Sequence, residues 1–286
     1  MLVIHKIQEI SAYSKGTKQA GLTVAFVPTM GYLHAGHIQL IREARKRANR
    51  IIVSIFVNPL QFNDSEDLKN YPRNPERDLG LLREEDVDAV FMPEVRQIYT
   101  DEKPGTIISN PGLANKLCGI SRPGHFEGVL FIVHNLFQWV QPDFAFFGLK
   151  DYQQQLMIRK MVNDLAMPVE IFSIPTIREE DGLAMSSRNA RLNNSERSRS
   201  TLIFQSMMLV QNAIHENKNL TNSDAFLILH NSLHAGLSAE DRIDYFGIYD
   251  PQTLELAAAD KPALGNLIAI ALYIGKVRLI DNLLLV

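Results

Sequence analysis

The sequence predicts an α/β fold in which a doubly wound parallel sheet is followed by a second, smaller α+β domain. Three observations support this prediction. Short apolar runs without polar alternation recur through the first two thirds of the chain, as expected for strands that are covered on both faces. Segments with helical spacing of apolar residues separate these runs, which is typical of a parallel sheet with crossover helices. After residue 174 this alternation ends, which indicates a change of domain.

Five apolar runs have the length of a strand. The first ends at Pro28 and the second at Asn58. The five predicted strands are Thr23–Val27, Ile51–Val57, Val87–Met92, Phe144–Phe147 and Val169–Ile174. In open parallel sheets, ligands bind beyond the carboxyl ends of the strands. We therefore expect the active site in the segments that follow the first, second, fourth and fifth of these strands.

Helices are predicted between the strands. Segment 36–46 carries an apolar stripe opposite its basic residues, which is the pattern of a helix packed against a sheet. Asn74 and Pro75 form a favourable N-cap and first-turn pair, and we expect a helix from there to residue 82. A further helix is predicted over residues 150–165, where apolar side chains recur at helical spacing.

The last third of the chain has a different pattern. Residues 175–194 are polar and predict a loop, and residues 195–214 predict one long helix. The predicted strands of this part are Ile243–Ile248, Leu267–Ala271 and Arg278–Ile280. We therefore divide the chain into a first domain of residues 1–178 and a second domain of residues 179–286.

Composition and charge exclude several classes of function. The chain has 286 residues, of which 46% are hydrophobic and 21% charged, as in ordinary globular proteins. The net charge of -3 provides no global basic field for nucleic acid, and no apolar run reaches the roughly 18 residues of a membrane helix. The first residues lack the features of a signal peptide, and the single cysteine, Cys118, excludes an internal disulfide. We expect a cytoplasmic protein that binds neither nucleic acid nor membrane.

The segment from Met30 to His37 carries the strongest chemical signal. It lies where a predicted strand ends and a helix begins, and the backbone N–H groups at a helix start attract anions. Gly36 has no Cβ that would keep a nucleotide from the backbone. His34 and His37 are three residues apart, so both imidazoles can donate hydrogen bonds to phosphate oxygens as charge builds up on the α-phosphorus. Helix capping is the alternative role, and zinc is less favoured because no third ligand is evident nearby.

A second cluster follows the fourth predicted strand. Lys150 can place a positive charge on a transferring phosphate, and Asp151 can hold a magnesium ion or a nucleotide hydroxyl. Gln154 lies one turn further and can reach a polar substrate. Alone, this segment is better explained as a helix start with solvated charges. Together with the histidine cluster, it favours a nucleotide site.

The third cluster lies in the loop between the domains. The hydroxyls of Ser186 and Ser187 beside the guanidinium of Arg188 suit the β- and γ-phosphates of a nucleotide, and such a loop could close over it. A polar linker is the ordinary alternative.

Two lesser segments carry polar side chains. Gln61 follows the second predicted strand, and Arg122 and His125 lie in a Pro-Gly turn. For both segments, a structural turn is as good an explanation as a contact with substrate.

The ordered set of segments resembles the pantoate–β-alanine ligase (pantothenate synthetase) family, a member of the HxGH-type nucleotidyltransferases. The matching segments are PTMGYLHAGH, VNPLQF, NYPRN, RPGHFEGV, FGLKDYQQ, MSSRN and RLIDN. The HxGH motif alone indicates only the wider superfamily. The ordered set is far more specific, and it spans nearly the whole chain.

This resemblance implies a fold, a reaction and an assembly. The fold would be a Rossmann-like domain with a small C-terminal domain that covers the active site, assembled as a homodimer. Pantoate and ATP would give pantoyl adenylate and pyrophosphate, and β-alanine would then displace AMP to give pantothenate. AMP is a far better leaving group than oxide, and Mg²⁺ would offset the charge of the triphosphate.

The resemblance also implies the roles of individual residues. His37 would be the general acid and His34 would assist at the phosphates. The other predicted catalytic residues are Lys150, Ser186, Ser187 and Arg188. Gln61 and Gln154 would hold pantoate, with Gln61 also near β-alanine, and Asp151 is the candidate for the metal. The predicted ATP site comprises Met30, Gly31, Tyr32, Leu33, His34, Ala35, Gly36, His37, Gly148, Leu149, Lys150, Asp151, Ile177, Met185, Ser186, Ser187 and Arg188.

One position departs from the family pattern. The family commonly has Glu where this chain has Leu149, so a backbone contact to nucleotide would be retained there and a side-chain role would be lost. Two other functions remain as alternatives. One is an adenylyltransferase that joins AMP to a phosphorylated small molecule, although the neutral amides of Gln61 and Gln154 suit a hydroxy acid better than a phosphate. The other is a nucleotide sensor that binds ATP without turnover.

Overall fold

The structure is a computed structural model that describes residues 1–99 and 104–286. Its contacts divide the chain into two compact units, neither of which is continuous in sequence. Unit 1 comprises Met1–Ala114, Arg122–Leu149 and Gln154–Pro175. Unit 2 comprises Asn115–Ser121, Lys150–Gln153 and Thr176–Val286.

Unit 1 contains a parallel sheet, whose six described strands have the order β1-β4-β3-β2-β5-β6. They are β1 (Leu2–Ile4), β2 (Val24–Thr29), β3 (Arg50–Ile55), β4 (Ala89–Phe91), β5 (Phe144–Gly148) and β6 (Glu170–Ile174). All five predicted strands are confirmed, with ends that differ by at most two residues. β1 was not predicted, because three residues carry too little pattern, and it is defined by its pairing with β4.

Helices alternate with these strands along the first two thirds of the chain. They are α1 (Ile7–Gln19), α2 (Ala35–Arg45), α3 (Ser65–Lys69), α4 (Pro75–Glu84), α5 (Val95–Ile98), α6 (Pro111–Ala114), α7 (Cys118–Ser121), α8 (His125–Val140) and α9 (Tyr152–Asp164). The predicted cap is confirmed, since the side chain of Asn74 accepts a hydrogen bond from the backbone of Arg77 at the start of α4. The predicted helix from residue 150 begins as a 3-10 turn, Leu149–Asp151, before α9. Among the described residues, no helix is long and apolar enough to cross a membrane.

Side chains of β2 alternate between two covered faces of the sheet. Ala25 and Val27 are buried in one core cluster with Leu40 and Ile41 of α2. Phe26 points the other way and packs edge-on against a phenylalanine of α8, with 6.4 Å between ring centroids. Burial on both faces explains why the predicted strands lack polar residues at alternate positions. The predicted doubly wound α/β architecture is confirmed.

Unit 2 is built on an antiparallel sheet with the order β7-β8-β9. Its later elements are α10 (Asn194–Ser200), α11 (Leu202–Glu216), α12 (Asn222–Gly236), β7 (Arg242–Tyr249), β8 (Leu267–Ile274) and β9 (Val277–Leu284). Apolar residues of α11 and α12 share one buried cluster with β8 and β9. The predicted smaller α+β part is therefore confirmed, and its strands are longer than predicted.

The prediction of one long helix over residues 195–214 was wrong. Two helices occupy this segment, and α10 ends at Ser200 before α11 starts at Leu202. The hydroxyl of Ser200 donates to the carbonyl of Arg197 at 2.7 Å, and that of Thr201 donates to the carbonyl of Ser198 at 2.9 Å. Consecutive hydroxyls that bond to backbone carbonyls compete with the helical pattern, which accounts for the break.

Candidate active site

The order of the strands defines one point on the edge of the sheet in unit 1. The chain runs from β2 through β3 to β4 on one side of β2, and then returns to form β5 on the other side. The sheet therefore reverses its winding between β2 and β5, and the carboxyl ends of neighbouring strands diverge at such a point to leave a crevice for ligands. The predicted histidine segment follows β2, and Gly148 ends β5.

The loop between β2 and α2 has an unusual backbone. Gly31 has φ 81° and Tyr32 has φ 51°, so two successive residues lie in the left-handed region. A Cβ on Gly31 would lie 3.0 Å from a side-chain carbon of Ile55 and 3.1 Å from an oxygen of Asp78, so a larger residue would press on both side chains as well as adopt a conformation that favours glycine. Tyr32 has no such freedom and depends on its hydrogen bonds.

Those hydrogen bonds come from α4. The carboxylate of Asp78 accepts the backbone N–H of Tyr32 at 2.7 Å and that of Leu33 at 2.8 Å. Arg77 donates to the carbonyl of Leu33 at 2.8 Å. Asp78 is almost completely buried, and the side chain of Leu33 lies in the core. Both residues of α4 therefore hold the loop.

Both histidines cap α2. The Nδ1 atom of His34 accepts the backbone N–H of Gly36 at 3.2 Å, and that of His37 accepts the backbone N–H of His34 at 3.3 Å. Their ring centroids lie 4.1 Å apart. An Nδ1 atom that accepts a backbone hydrogen bond carries no proton, so the neutral rings have their proton on Nε2. Capping and phosphate binding are therefore compatible, since capping makes each Nε2 a hydrogen-bond donor.

Gly36 has a structural reason to be glycine. A Cβ at this position would lie 2.9 Å from Cε1 and 3.0 Å from Nδ1 of His34. The glycine lets the ring of His34 fold over the helix start. This is a second reason for glycine here, besides the predicted approach of a nucleotide.

Gln61 lies close to the histidine loop. It ends a short 3-10 helix, Pro59–Gln61, after β3, and its side-chain Nε2 donates to the sulfur of Met30 at 2.8 Å. Its Oε1 accepts from the side-chain amide of Asn58 at 3.2 Å. The structure thus brings together two predicted site residues that are 31 positions apart in the chain.

Arg122 and His125 also contact Gln61. The Nδ1 atom of His125 donates to the backbone carbonyl of Gln61 at 2.7 Å, and Arg122 donates to the same carbonyl at 3.0 Å. Arg122 also contacts Nε2 of His125 at 3.2 Å, which fits a neutral ring with its proton on Nδ1. Of the two roles left open for this turn, the structure therefore shows a structural one, with Gln61 as its target.

The remaining predicted residues are divided between the units. Gly148 and Leu149 belong to unit 1 and are followed by Lys150 and Asp151 of unit 2. Gln154, half-buried on α9, belongs to unit 1.

In unit 2, the residues before and after a tight turn are paired. The backbone N–H of Met185 donates to the carbonyl of Ile177 at 3.0 Å, and Arg178 bridges Ala184 in antiparallel fashion. The hydroxyl of Ser186 then accepts the backbone N–H of Arg188 at 3.2 Å and caps a 3-10 helix, Ser187–Arg191. The predicted phosphate-binding segment is thus an ordered hairpin and helix start.

Lys150 lies beside a buried ion pair of unit 2. Arg178 contacts both carboxylate oxygens of Asp281, at 2.5 and 3.1 Å, and Asn282 donates to the carbonyl of Lys150 at 2.8 Å. Burial lowers the pKa of Lys150, the charge of Asp151 opposes this shift, and Arg188 adds to it. Burial also raises the pKa of Asp281, against the influence of Arg178.

Sequence reasoning missed the supporting residues Asn58, Asp78 and Asp281. Asn58 and Asp281 lie within segments that carry the family resemblance, and Asp78 lies four residues after one. Proximity to these segments was the only available signal, because the identity of a polar residue does not show whether it is buried or exposed.

Comparisons with known proteins identify the family of this chain. The family model described as Pantoate-beta-alanine ligase matches residues 2–284. Pantothenate synthetase of Leptospira interrogans serogroup Icterohaemorrhagiae serovar Lai is 45% identical over 288 residues, which cover 100% of this chain and 98% of that protein. Pantothenate synthetase of Thermotoga neapolitana is 43% identical over 288 residues, with 100% of both chains covered.

Solved structures give the same result. Pantothenate synthetase from Thermus thermophilus is 38% identical with a TM-score of 0.91, over 100% of this chain and 99% of that one. Pantoate-beta-alanine ligase from Francisella tularensis, complexed with beta-gamma ATP and beta-alanine, is 34% identical with a TM-score of 0.79, over 99% and 97%. This chain belongs to the pantoate–β-alanine ligase family.

Proposed function

We propose that this protein is an ATP-dependent ligase that condenses (R)-pantoate with β-alanine through a pantoyl-adenylate intermediate, releasing pyrophosphate and AMP. The observation that carries the proposal is the family match over residues 2–284. The Francisella tularensis relative, which was solved with an ATP compound and β-alanine, supports these two substrates.

The first step joins pantoate to AMP. A carboxylate oxygen of pantoate attacks the α-phosphorus of ATP, the new P–O bond forms, and pyrophosphate leaves. His34 and His37, whose Nδ1 atoms are occupied by the cap, would each donate an Nε2 hydrogen bond to phosphate oxygens. His37 would be the general acid. Lys150 would place a positive charge on the transferring phosphate, and Ser186, Ser187 and Arg188 would bind the β- and γ-phosphates.

The second step forms the amide. The amine of β-alanine attacks the acyl carbon of the adenylate, AMP leaves with the C–O bonding electrons, and the amine loses a proton. Gln61 and Gln154 would hold pantoate through neutral amides. The donor that Gln61 directs toward Met30 matches the acceptor oxygens of a hydroxy acid.

Magnesium is part of the proposal. The described residues include no group of three or more His, Cys, Asp or Glu side chains that could hold a metal ion. Mg²⁺ usually retains several waters and binds through one or two carboxylates together with substrate phosphates, so a single exposed Asp151 fits a metal that arrives with ATP. When bound, Mg²⁺ would neutralise charge on the triphosphate.

Pyrophosphate release tests the two-step reaction. Magnesium-ATP and pantoate alone should give a stoichiometric burst of pyrophosphate, and β-alanine should convert it into sustained release with equal AMP. Absence of both burst and turnover would contradict the ligase. A product containing AMP joined to a phosphorylated compound would support an adenylyltransferase instead.

We also propose a cytoplasmic homodimer. Sedimentation at several protein concentrations would test the assembly, since a single species of 32.3 kDa at all of them would contradict it. Fractionation of cells would test the location.

A further inference from the structure

The side-chain amide of Asn58 is completely engaged inside unit 1. Asn58 is 1% exposed, and its Nδ2 donates to the carbonyl of Gly128 at 3.0 Å and to Oε1 of Gln61 at 3.2 Å. Its Oδ1 accepts the backbone N–H of Leu60 at 3.3 Å and the hydroxyl of Tyr99 at 2.6 Å. The carbonyl of Gly128 on one side, with the long bond from Leu60 and the short bond from Tyr99 on the other, permits only one orientation of this amide, because the flipped amide would oppose like groups.

Tyr99 makes the shortest of these four hydrogen bonds. Its ring is buried, stacked on Phe131 at 6.0 Å between centroids and near Phe56 at 6.5 Å, so the hydroxyl has a fixed position. Burial raises the pKa of Tyr99 far above the usual range, so the phenol remains a donor at any working pH. The Oδ1 atom of Asn58 therefore accepts a hydrogen bond from Tyr99 at any working pH.

The direction of these bonds determines what Gln61 presents to a ligand. The hydroxyl of Tyr99 donates to Asn58, and Asn58 donates to Oε1 of Gln61. Since Oε1 is used in this way, the amide of Gln61 must direct Nε2 away from Asn58, where it meets the sulfur of Met30 at 2.8 Å. Thioether sulfur is a weak acceptor, so an oxygen of a bound acid can replace it at a gain in energy.

We propose that Tyr99 is a positioning residue for the acid substrate: it fixes Asn58, which in turn makes Gln61 a hydrogen-bond donor. This inference rests on the proposed function, since it assigns Gln61 to the binding of pantoate. It adds a selectivity rule, namely that the acid must offer an acceptor oxygen at Gln61.

Tyr99→Phe tests the proposal, because it removes the hydroxyl and keeps the stacked ring. Loss of the buried hydrogen bond from Tyr99 to Asn58 should raise KM for pantoate about threefold to tenfold. KM for ATP and for β-alanine should change by less than about twofold. Tyr249→Phe, which removes a hydroxyl from a buried tyrosine of unit 2, is the matched control and should leave all three values unchanged.

A double-mutant cycle shows whether Tyr99 acts through Gln61. In a Gln61→Ala background, Tyr99→Phe should have no further effect on KM for pantoate. The proposal is overturned if Tyr99→Phe alone leaves KM for pantoate unchanged, or if it raises KM equally in both backgrounds. Equal losses for all three substrates with a lower melting temperature would show a merely structural role and also overturn it. Wild-type protein that makes no pantothenate would instead refute the proposed function.

Discussion

Asp78 accepts a hydrogen bond from the backbone N–H of Tyr32 over 2.7 Å, across 46 positions of the sequence. Tyr32 has φ 51°, a conformation that costs a residue with a Cβ about 1–2 kcal/mol. A carboxylate that also accepts the N–H of Leu33 stabilises this backbone. The first turn of α4 therefore determines the shape of the loop that precedes His34.

Asp78→Asn tests this relationship. Asparagine has the same shape but only one acceptor oxygen, so one of the two loop N–H groups faces another donor. We expect a loss of about 1–3 kcal/mol in the free energy of unfolding. We also expect a lower kcat/KM for ATP, measured by denaturation and initial rates. Asp86→Asn, an exposed position just after the same helix, should change neither, and equal effects of both would contradict the loop-holding role.

His34→Asn separates capping from chemistry. Asparagine is a favourable N-cap and retains an acceptor for the helix start, but it has no Nε2 donor. Thermal unfolding should therefore remain close to wild type, while the single-turnover rate of pyrophosphate release should fall at least about tenfold. If instead the variant unfolds early and reacts normally, His34 is only a cap.

His37→Ala should reduce the rate of adenylation more than it weakens ATP binding. The reason is the proposed role of His37 at the phosphates, where charge develops only as the reaction proceeds. Calorimetric ATP titration and single-turnover kinetics give the two quantities. Equal losses of affinity and rate would indicate ground-state binding.

The affinity for ATP should decrease at high pH because Lys150 loses its charge. Because burial lowers its pKa, the amine is charged below that pKa and loses its proton at a lower pH than an ordinary lysine. KM for ATP should therefore rise as the pH increases through that lowered pKa, at a lower pH than an ordinary lysine would require.

Lys150→Arg, which stays charged at these pH values, should flatten that rise. Lys160→Arg is the matched control, because Lys160 is exposed on α9. If KM for ATP still rises with pH in Lys150→Arg as it does in the wild type, another group causes the rise.

Asp281→Ala should destabilise the protein by about 3–5 kcal/mol, because the mostly buried guanidinium of Arg178 would lose its carboxylate. Chemical denaturation measures this loss. The control is Asp181→Ala, whose ion pair with Arg197 is partly exposed and should contribute at most about 1 kcal/mol. Similar losses of unfolding free energy in the two variants would show that burial does not determine the contribution of the ion pair.

Much of the fold was predictable from local pattern. The apolar runs of β2 and β3 predict covered strands because both of their faces are buried, and the Asn74-Pro75 pair predicts the start of α4. α1 and α12 escaped prediction. Their apolar residues are interspersed with polar ones, and they acquire a buried face through packing against another helix and a strand.

The sequence by itself determined the class of fold, the family, and the segments that carry polar side chains at strand ends. These properties depend on neighbouring residues and on ordered motifs. Only the tertiary structure decided that Asp78 holds the loop, that Tyr99 and Asn58 orient Gln61, and that Asp281 lies beside Lys150. Apart from the contact of Asn58 with Gln61, these contacts join residues from distant parts of the chain, and their strength comes from burial. A linear pattern records neither proximity nor the removal of water.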